Sequence, residues 1–451
     1  MGFHPARAIA ALAAGTALYA QGPATVTTIV GDISEERIAA HMRKLASFGT
    51  RDSHSRGNVE AREWIAAEFR SYSPRVQVRM DTYRLRKQGR LVRDLDVANV
   101  IAVLPGSAQP KREVVVSAHY DSLALVPRKG ATPGEPDSMD NEASAAAPLA
   151  PGVSDDASGV AAVLELARVM SAHEFSTTIV FAAFGAEEQG LIGSTLYATR
   201  AKDAGAGIEA VLNNDIIGND RSGDGIAAPY AVRVFSGGPE DSGSRAVARY
   251  VRDAAARFVP SMRVVPVFRA DRFARGGDHT PFHERGFAAI RLTTAAEALE
   301  RQHTSLDDMG SASPGYTARV ARVNAAALAS LALAPSPPVT TRKLPPSEPG
   351  GTERIVPNLS RGKGRYDAVL RWTDTNPPAA VTHYAVLIRS TLAPYWEREI
   401  PVGKTLEYTI RNFSIDDVVL GVKAVGTNGI DSLVSAYSPS PYRGRAFEVV
   451  K

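Results

Sequence analysis

Short apolar runs alternate with longer amphipathic ones through the first three quarters of the chain, and that rhythm predicts strands interleaved with helices. Over 34–47 a serine in capping position precedes Ile38, Met42, Leu45 and Ala46 on one face, which predicts a helix. Residues 58–70 repeat the logic with Ala61, Trp64, Ile65 and Phe69. Strands are expected over 76–83, 98–104 and 113–119. Helix and strand then alternate: helix 155–171, strand 177–184, helix 189–200, strands 210–217 and 231–236, helix 242–258, strands 263–268 and 288–293, and a closing helix over 313–334. The class this implies is α/β, a mixed, mostly parallel sheet flanked by helices.

The pattern breaks at Pro335-Ser-Pro-Pro338, and the chain stays rich in Pro and Gly to Gly351, as a stiff linker or edge segment would. Past it the apolar positions alternate singly. Strands are expected over 368–372, 383–389, 396–402, 406–411, 418–425 and 433–437, with Trp372, Tyr384 and Val386 inward. Short strands at turn-like intervals over 352–445 predict a small all-β sandwich. It resembles a fibronectin type III module and carries no visible chemistry.

Composition narrows the options. At 451 residues, 34–334 and the β-rich tail are better read as separate folded units than as one. A net charge of +4 with scattered basic residues leaves neither a nucleic-acid stripe nor a polybasic membrane patch. With no cysteine, disulfides, thiolate ligands and a cysteine nucleophile are excluded, so any metal must be held by His, Asp and Glu. Residues 1–20 read as a signal peptide: His4 and Arg7 lead, an apolar run over 9–18 follows, and Ala20 precedes the cut, with Leu18 in place of a small residue two positions earlier. That run is too short to span a bilayer, and the mature protein is expected to be exported, to a periplasm or the medium.

Five places hold candidate ligands. His119 ends the run Val-Val-Val-Ser-Ala-His, with Asp121 two residues on; Asp155 and Asp156 stand in Pro-Gly-Val-Ser-Asp-Asp-Ala-Ser-Gly over 151–159. Glu187 and Glu188 follow the strand 177–184; Asp215 ends Leu-Asn-Asn-Asp; His303 lies in Arg-Gln-His-Thr-Ser-Leu-Asp-Asp over 301–308. Singly, each has a plain explanation: a satisfied strand-end histidine, a helix cap, an acidic turn. Together, four of the five close strands or open helices on one edge of the expected sheet, where open α/β sheets bind ligands. Two histidines and three carboxylates also form a set that binds two zinc ions if one carboxylate bridges them. Asp155, Glu188 and Asp215 would offset most of that charge, leaving Glu187 free to take a proton.

These motifs, with Phe-Gly-x-Glu-Glu-x-Gly-x-x-Gly-Ser from Phe184 and the late His-Thr, resemble the M28 zinc peptidases of the bacterial leucyl aminopeptidase type over residues 38–334. The resemblance implies a secreted di-zinc exopeptidase acting on peptide or protein amino termini. Asp155 would bridge, His119 and Asp215 would complete one zinc, and Glu188 and His303 the other. Glu187 would be the general base, and Asp121 would orient His119. Gln302 stands where relatives often carry a tyrosine that donates to the oxyanion. The long segment 123–154 is an insertion without structure or a flap over the site. In Gly-Gly-Asp-His-Thr-Pro-Phe over 276–282, Asp278 is expected to cap a helix or to hydrogen-bond on the substrate side. A glutaminyl cyclase, a carboxypeptidase and a non-catalytic binding protein are the alternatives on this fold.

Overall fold

Residues 22–132, 138–273, 275–346, 353–363 and 366–438 are described in the computed structural model. The segment 1–20 lies outside them. The chain divides into two compact units between Leu333 and Ala334. The first opens on α1 (Pro23–Gly31), which the sequence pattern did not suggest. Its nine residues bury only Val26, Ile29 and Val30, and a short β-branched run carries little helical signal. Serine caps then start α2 (Glu35–Ala46) and α3 (Arg56–Tyr72): Ser34 Oγ accepts from the Arg37 N–H and Ser55 Oγ from the Asn58 N–H.

Eight strands make one sheet: β1 (Gln77–Leu85), β2 (Leu95–Leu104), β3 (Gln109–His119), β4 (Thr177–Phe184), β5 (Gly207–Asn214), β6 (Ala231–Ser236), β7 (Arg263–Val267) and β8 (Ala289–Thr294). Their order is β1-β2-β4-β3-β5-β8-β6-β7. The centre, β4-β3-β5-β8, is parallel, as is β6-β7; the pairs β1-β2, β2-β4 and β8-β6 are antiparallel. All eight residues of β4 are buried. Both faces are covered, so its side chains show no polar alternation in the sequence. Val180, Ala182 and Phe184 pack on Tyr197 and Ala198 of one helix and Phe282 of another.

The remaining helices are α4 (Asn141–Ala145), α5 (Ser158–Met170), α6 (Ile192–Asp203), α7 (Gly243–Phe258), α8 (His279–Glu284) and α9 (Pro314–Leu333), the last packing on α2, α5 and α7. Two expected helix starts are corrected. Residues 153–157 form a π turn in which Asp155 and Asp156 have non-helical backbone, joined by a cis peptide bond, and α5 begins only at Ser158. Gly159 is required there, since a Cβ would come within 2.5 Å of the Asp156 carboxylate. Likewise 189–191 stay in the turn after β4, and α6 starts at Ile192. At both places the carboxylates occupy loop, where backbone is free to aim them.

In the second unit a ribbon of β9 (Thr341–Leu344) and β10 (Arg354–Pro357) precedes two antiparallel sheets. One holds β11 (Leu359–Ser360), β12 (Ala368–Arg371) and β15 (Glu407–Ile410). The other orders β14 (Arg398–Gly403), β13 (Val381–Ser390), β16 (Val418–Gly426) and β17 (Ser435–Ala436). Trp372, Tyr384 and Val386 share one apolar cluster drawn from both sheets. No helix among the described residues is long and apolar enough to cross a membrane.

Candidate metal centre

The carboxyl ends of three neighbouring parallel strands converge. β3 ends on His119, β4 runs into the turn that carries Glu187 and Glu188, and Asp215 follows β5. The π turn before α5 brings Asp155, and the loop after β8 brings His303. Among the described residues, five other than glycine hold a positive φ, and four of them frame this point: Ala186 (57°), Leu191 (58°), Ile216 (61°) and His303 (55°). Each costs on the order of 1–2 kcal/mol, so tertiary contacts must over-determine these turns.

Asp155 is the hinge of the cluster. Its Oδ1 lies 3.0 Å from His119 Nε2, and its Oδ2 3.2 Å from His303 Nε2. On the first side Asp215 Oδ1 is 3.9 Å from His119 Nε2; on the second, Glu188 Oε2 is 3.1 Å from His303 Nε2. Two three-donor groups, His119/Asp155/Asp215 and Asp155/Glu188/His303, thus share one carboxylate. Tetrahedral zinc with ligands at about 2.0–2.1 Å spaces its donors roughly 3.3 Å apart. The observed separations bracket that value, and Glu188 Oε1 is buried with no hydrogen-bond partner. Such an orphan atom costs stability unless something takes its lone pairs. The donor set therefore fits zinc.

Charge follows the geometry. Burial alone would raise Asp155, but hydrogen bonds from His119 and His303 outweigh it and hold its carboxyl well below the usual range. Burial opposes protonation of both rings, yet the carboxylates around them, Glu187 and Asp155 for His119 and Glu188 and Asp155 for His303, hold each well above the usual imidazole range. Glu187, half-buried at the lip, is pushed well above the usual carboxyl range by burial, with Glu188, Asp215 and Asp278 adding to the rise.

A surrounding frame aims these groups. The Asp121 carboxylate accepts the backbone N–H groups of Glu187 (3.1 Å) and Glu188 (3.0 Å), while His119 Nδ1 meets the Asp121 backbone carbonyl at 3.1 Å. The Asp121 carboxylate also lies 3.7 Å from His119 Nδ1, so the residue faces that ring with main chain and side chain while its carboxylate holds the Glu187–Glu188 turn. Asp156 points away from the donors; it accepts from the N–H groups of His119, Gly159 and Ile216 and so ties β3, α5 and the end of β5 together.

Three further residues escaped the sequence reading. Asp307 accepts the N–H groups of Ser154 (2.9 Å) and Asp155 (3.0 Å), and burial pushes its carboxyl up to about 7. Arg51, fully buried, donates to the carbonyls of Leu45, Tyr120, Pro151 and Gly152. Arg291, on β8, sits 3.0 Å from both Asp215 Oδ1 and Asp271 Oδ1. Arg291 had a signal, a lone cation inside the apolar strand pattern. A single arginine after a helix, as Arg51 is, has none.

The donors open on a cleft of about 270 Å³ lined by Arg90, Glu187, Leu191, Arg272, Arg275 and His303, among others. Gln302 does not face it as a free donor: its Nε2 donates to Glu297 (3.2 Å), and its Oε1 accepts from Arg275. Asp278 neither caps α8 nor reaches the cleft. It is fully buried beside Ser194, its side chain makes no cap bond to the helix, and burial raises its carboxyl to about 7. His279 is spent on the Ala270 carbonyl (2.8 Å). The described parts of 123–154 fold back on the site: Leu125 N–H donates to the His303 carbonyl, and Pro127 bridges to Met139.

A shared-carboxylate donor set at the strand ends of a mixed α/β sheet defines a metal-dependent hydrolase. Residues 99–328 match peptidase family M28. A probable zinc metalloprotease of Pyrenophora teres f. teres (strain 0-1) is 34% identical over 443 residues, covering 90% of this chain and 85% of that one. The chain belongs to peptidase family M28. Among solved structures it is similar in fold to the Legionella pneumophila LapA aminopeptidase (TM-score 0.50, 19% identity, 67% of this chain and 74% of that one). It is similar also to Porphyromonas gingivalis glutaminyl cyclase (TM-score 0.51, 18% identity, 66% and 98%).

Proposed function

We propose that this peptidase holds two zinc ions and removes residues from the amino terminus of peptides. The observation that carries the reading is Asp155 presenting one oxygen to each of two histidines, so that the two donor groups join at a single carboxylate. Relatives named as zinc metalloproteases support the choice of metal. His119 and Asp215 would hold one ion and Glu188 and His303 the other, with Asp155 between them. Zinc, when bound, supplies a Lewis acid for the scissile carbonyl and lowers the pKa of water toward about 7. Glu187 stands at the lip, within the same group of donor atoms as His119 and Glu188. From there it takes the proton of the attacking water and returns it to the leaving amine. Asp121 keeps it there by gripping its N–H.

Metal analysis of the purified protein is expected to return two zinc ions per chain, and fewer than two for Glu188→Ala, which removes a donor. One zinc in the unaltered protein would instead favour the cyclase reading, since that fold also carries glutaminyl cyclase chemistry. Polarity is tested separately. Acetylating the amine of a short peptide is expected to abolish its cleavage, followed by chromatography of the products; undiminished cleavage would point to a carboxypeptidase.

A further inference from the structure

The cleft beside the metal donors is not walled for an apolar side chain. Leu191 and Ile216 are the larger apolar residues that line it, against Arg90, Arg272 and Arg275. Arg272 is matched in charge: Nε lies 3.1 Å from Asp271 Oδ1 and Nη1 3.0 Å from Glu297 Oε2. The other two are not. Both terminal nitrogens of Arg275 donate to the neutral amide oxygen of Gln302 at 3.2 Å, and Arg90 Nη1 donates to the backbone carbonyl of Glu188 at 2.8 Å. Neither has a carboxylate within 4 Å among the described residues, and both are exposed at the cleft.

Their positions are constrained all the same. Gln302 is fixed from behind by Glu297 and adjoins His303; Arg90 is anchored on the main chain of Glu188. Each cation is therefore tied within one residue of a group assigned to the metals, with donors of its planar fork left unused. A guanidinium so presented matches a carboxylate edge-on.

We infer that Arg275 and Arg90 are specificity-determining residues that select peptides carrying a carboxylate beside the scissile bond. This rests on the aminopeptidase reading for the reaction and adds the substrate class. The carboxylate can come from an acidic first side chain or from the free end of a dipeptide; the chemistry recognised is the same.

The zinc-loaded enzyme is compared on glutamyl and leucyl anilides, which lack a chain-end carboxylate, and on Leu-Gly and Leu-Gly amide. The expected result is a kcat/KM advantage of roughly 10- to 100-fold for the carboxylate member of at least one pair, collapsing in Arg275→Gln and Arg90→Gln. An advantage within the anilide pair places the carboxylate on the side chain, and one within the dipeptide pair places it on the chain end. Absence of both advantages, or an advantage the two variants keep, overturns the inference. Calorimetric titration with glutamate, leucine and leucinamide reads the same preference without turnover: tighter binding of the added carboxylate, weakened in the variants, supports it, and equal binding overturns it. If no free-amine substrate is cleaved, the aminopeptidase reading fails by itself, and the titration still decides the carboxylate site. Both residues are exposed, and zinc content serves as the control for folding.

Discussion

Glu187→Gln is expected to keep its zinc and to lose activity by about 10²- to 10⁴-fold, the span that general-base catalysis contributes. The change is nearly isosteric and removes one capability, that of accepting a proton. The grip on the turn survives, because Asp121 holds the backbone N–H of residue 187 and not its side chain. The two three-donor groups that meet at Asp155 are complete without Glu187, which shares donor distance only with His119 and Glu188, and glutamine keeps one oxygen there, so metal content is expected to stand. The loss belongs in kcat, with KM moving little, since the carboxylate acts on the proton in flight rather than on the bound peptide. Turnover assays beside metal analysis separate the cases. Wild-type turnover in the variant would mean that the base lies elsewhere; lost zinc would mean that Glu187 is a ligand.

Arg51→Met is expected to destabilise the first unit strongly. Methionine carries no donor, so the carbonyls of Tyr120 and Pro151 would be left without a partner, while Leu45 keeps the Phe48 N–H and Gly152 the Ala157 N–H. An unmet buried polar group costs about 1–3 kcal/mol, which makes a loss of about 4 kcal/mol the expectation for two. Melting on the order of 10 °C lower follows for a unit of this size. Arg51 is also the cation near Asp121, Asp155, Asp156 and Asp307, so its loss sharpens the repulsion among buried carboxylates. Thermal unfolding of Arg51→Met against Arg51→Lys checks the account: lysine keeps the charge and part of the bonding and should fall between. A shift of a degree or two in Arg51→Met would show that these bonds do not hold the loops together.

The elements legible beforehand are those whose cause is local. Ser34 announces its helix because a cap is satisfied within three residues. The buried run of β4 announces itself by its unbroken apolar character. The errors cluster where tertiary contact overrides local preference. Asp155 and Asp156 looked like the first turn of a helix, yet backbone bonds from Ser154 and Asp155 to Asp307, 152 or more residues away, pull the chain out of helical geometry. Ala186, Ile216 and His303 adopt a left-handed backbone that no local signal asks of them.

Residue types and their order specify the chemistry on offer: the absence of cysteine, the carboxylates and histidines at the ends of apolar runs, and through their order the M28 family. How that inventory is spent follows from contacts made in the folded chain. They set Asp155 between two rings, turn Gln302 onto Glu297 and Arg275, bury Asp278, and enclose Arg51 among four carbonyls. The reason is physical. Residue type and spacing report which groups can ionise or bind, whereas direction depends on partners brought from remote strands and loops, and those contacts leave no mark on the local pattern.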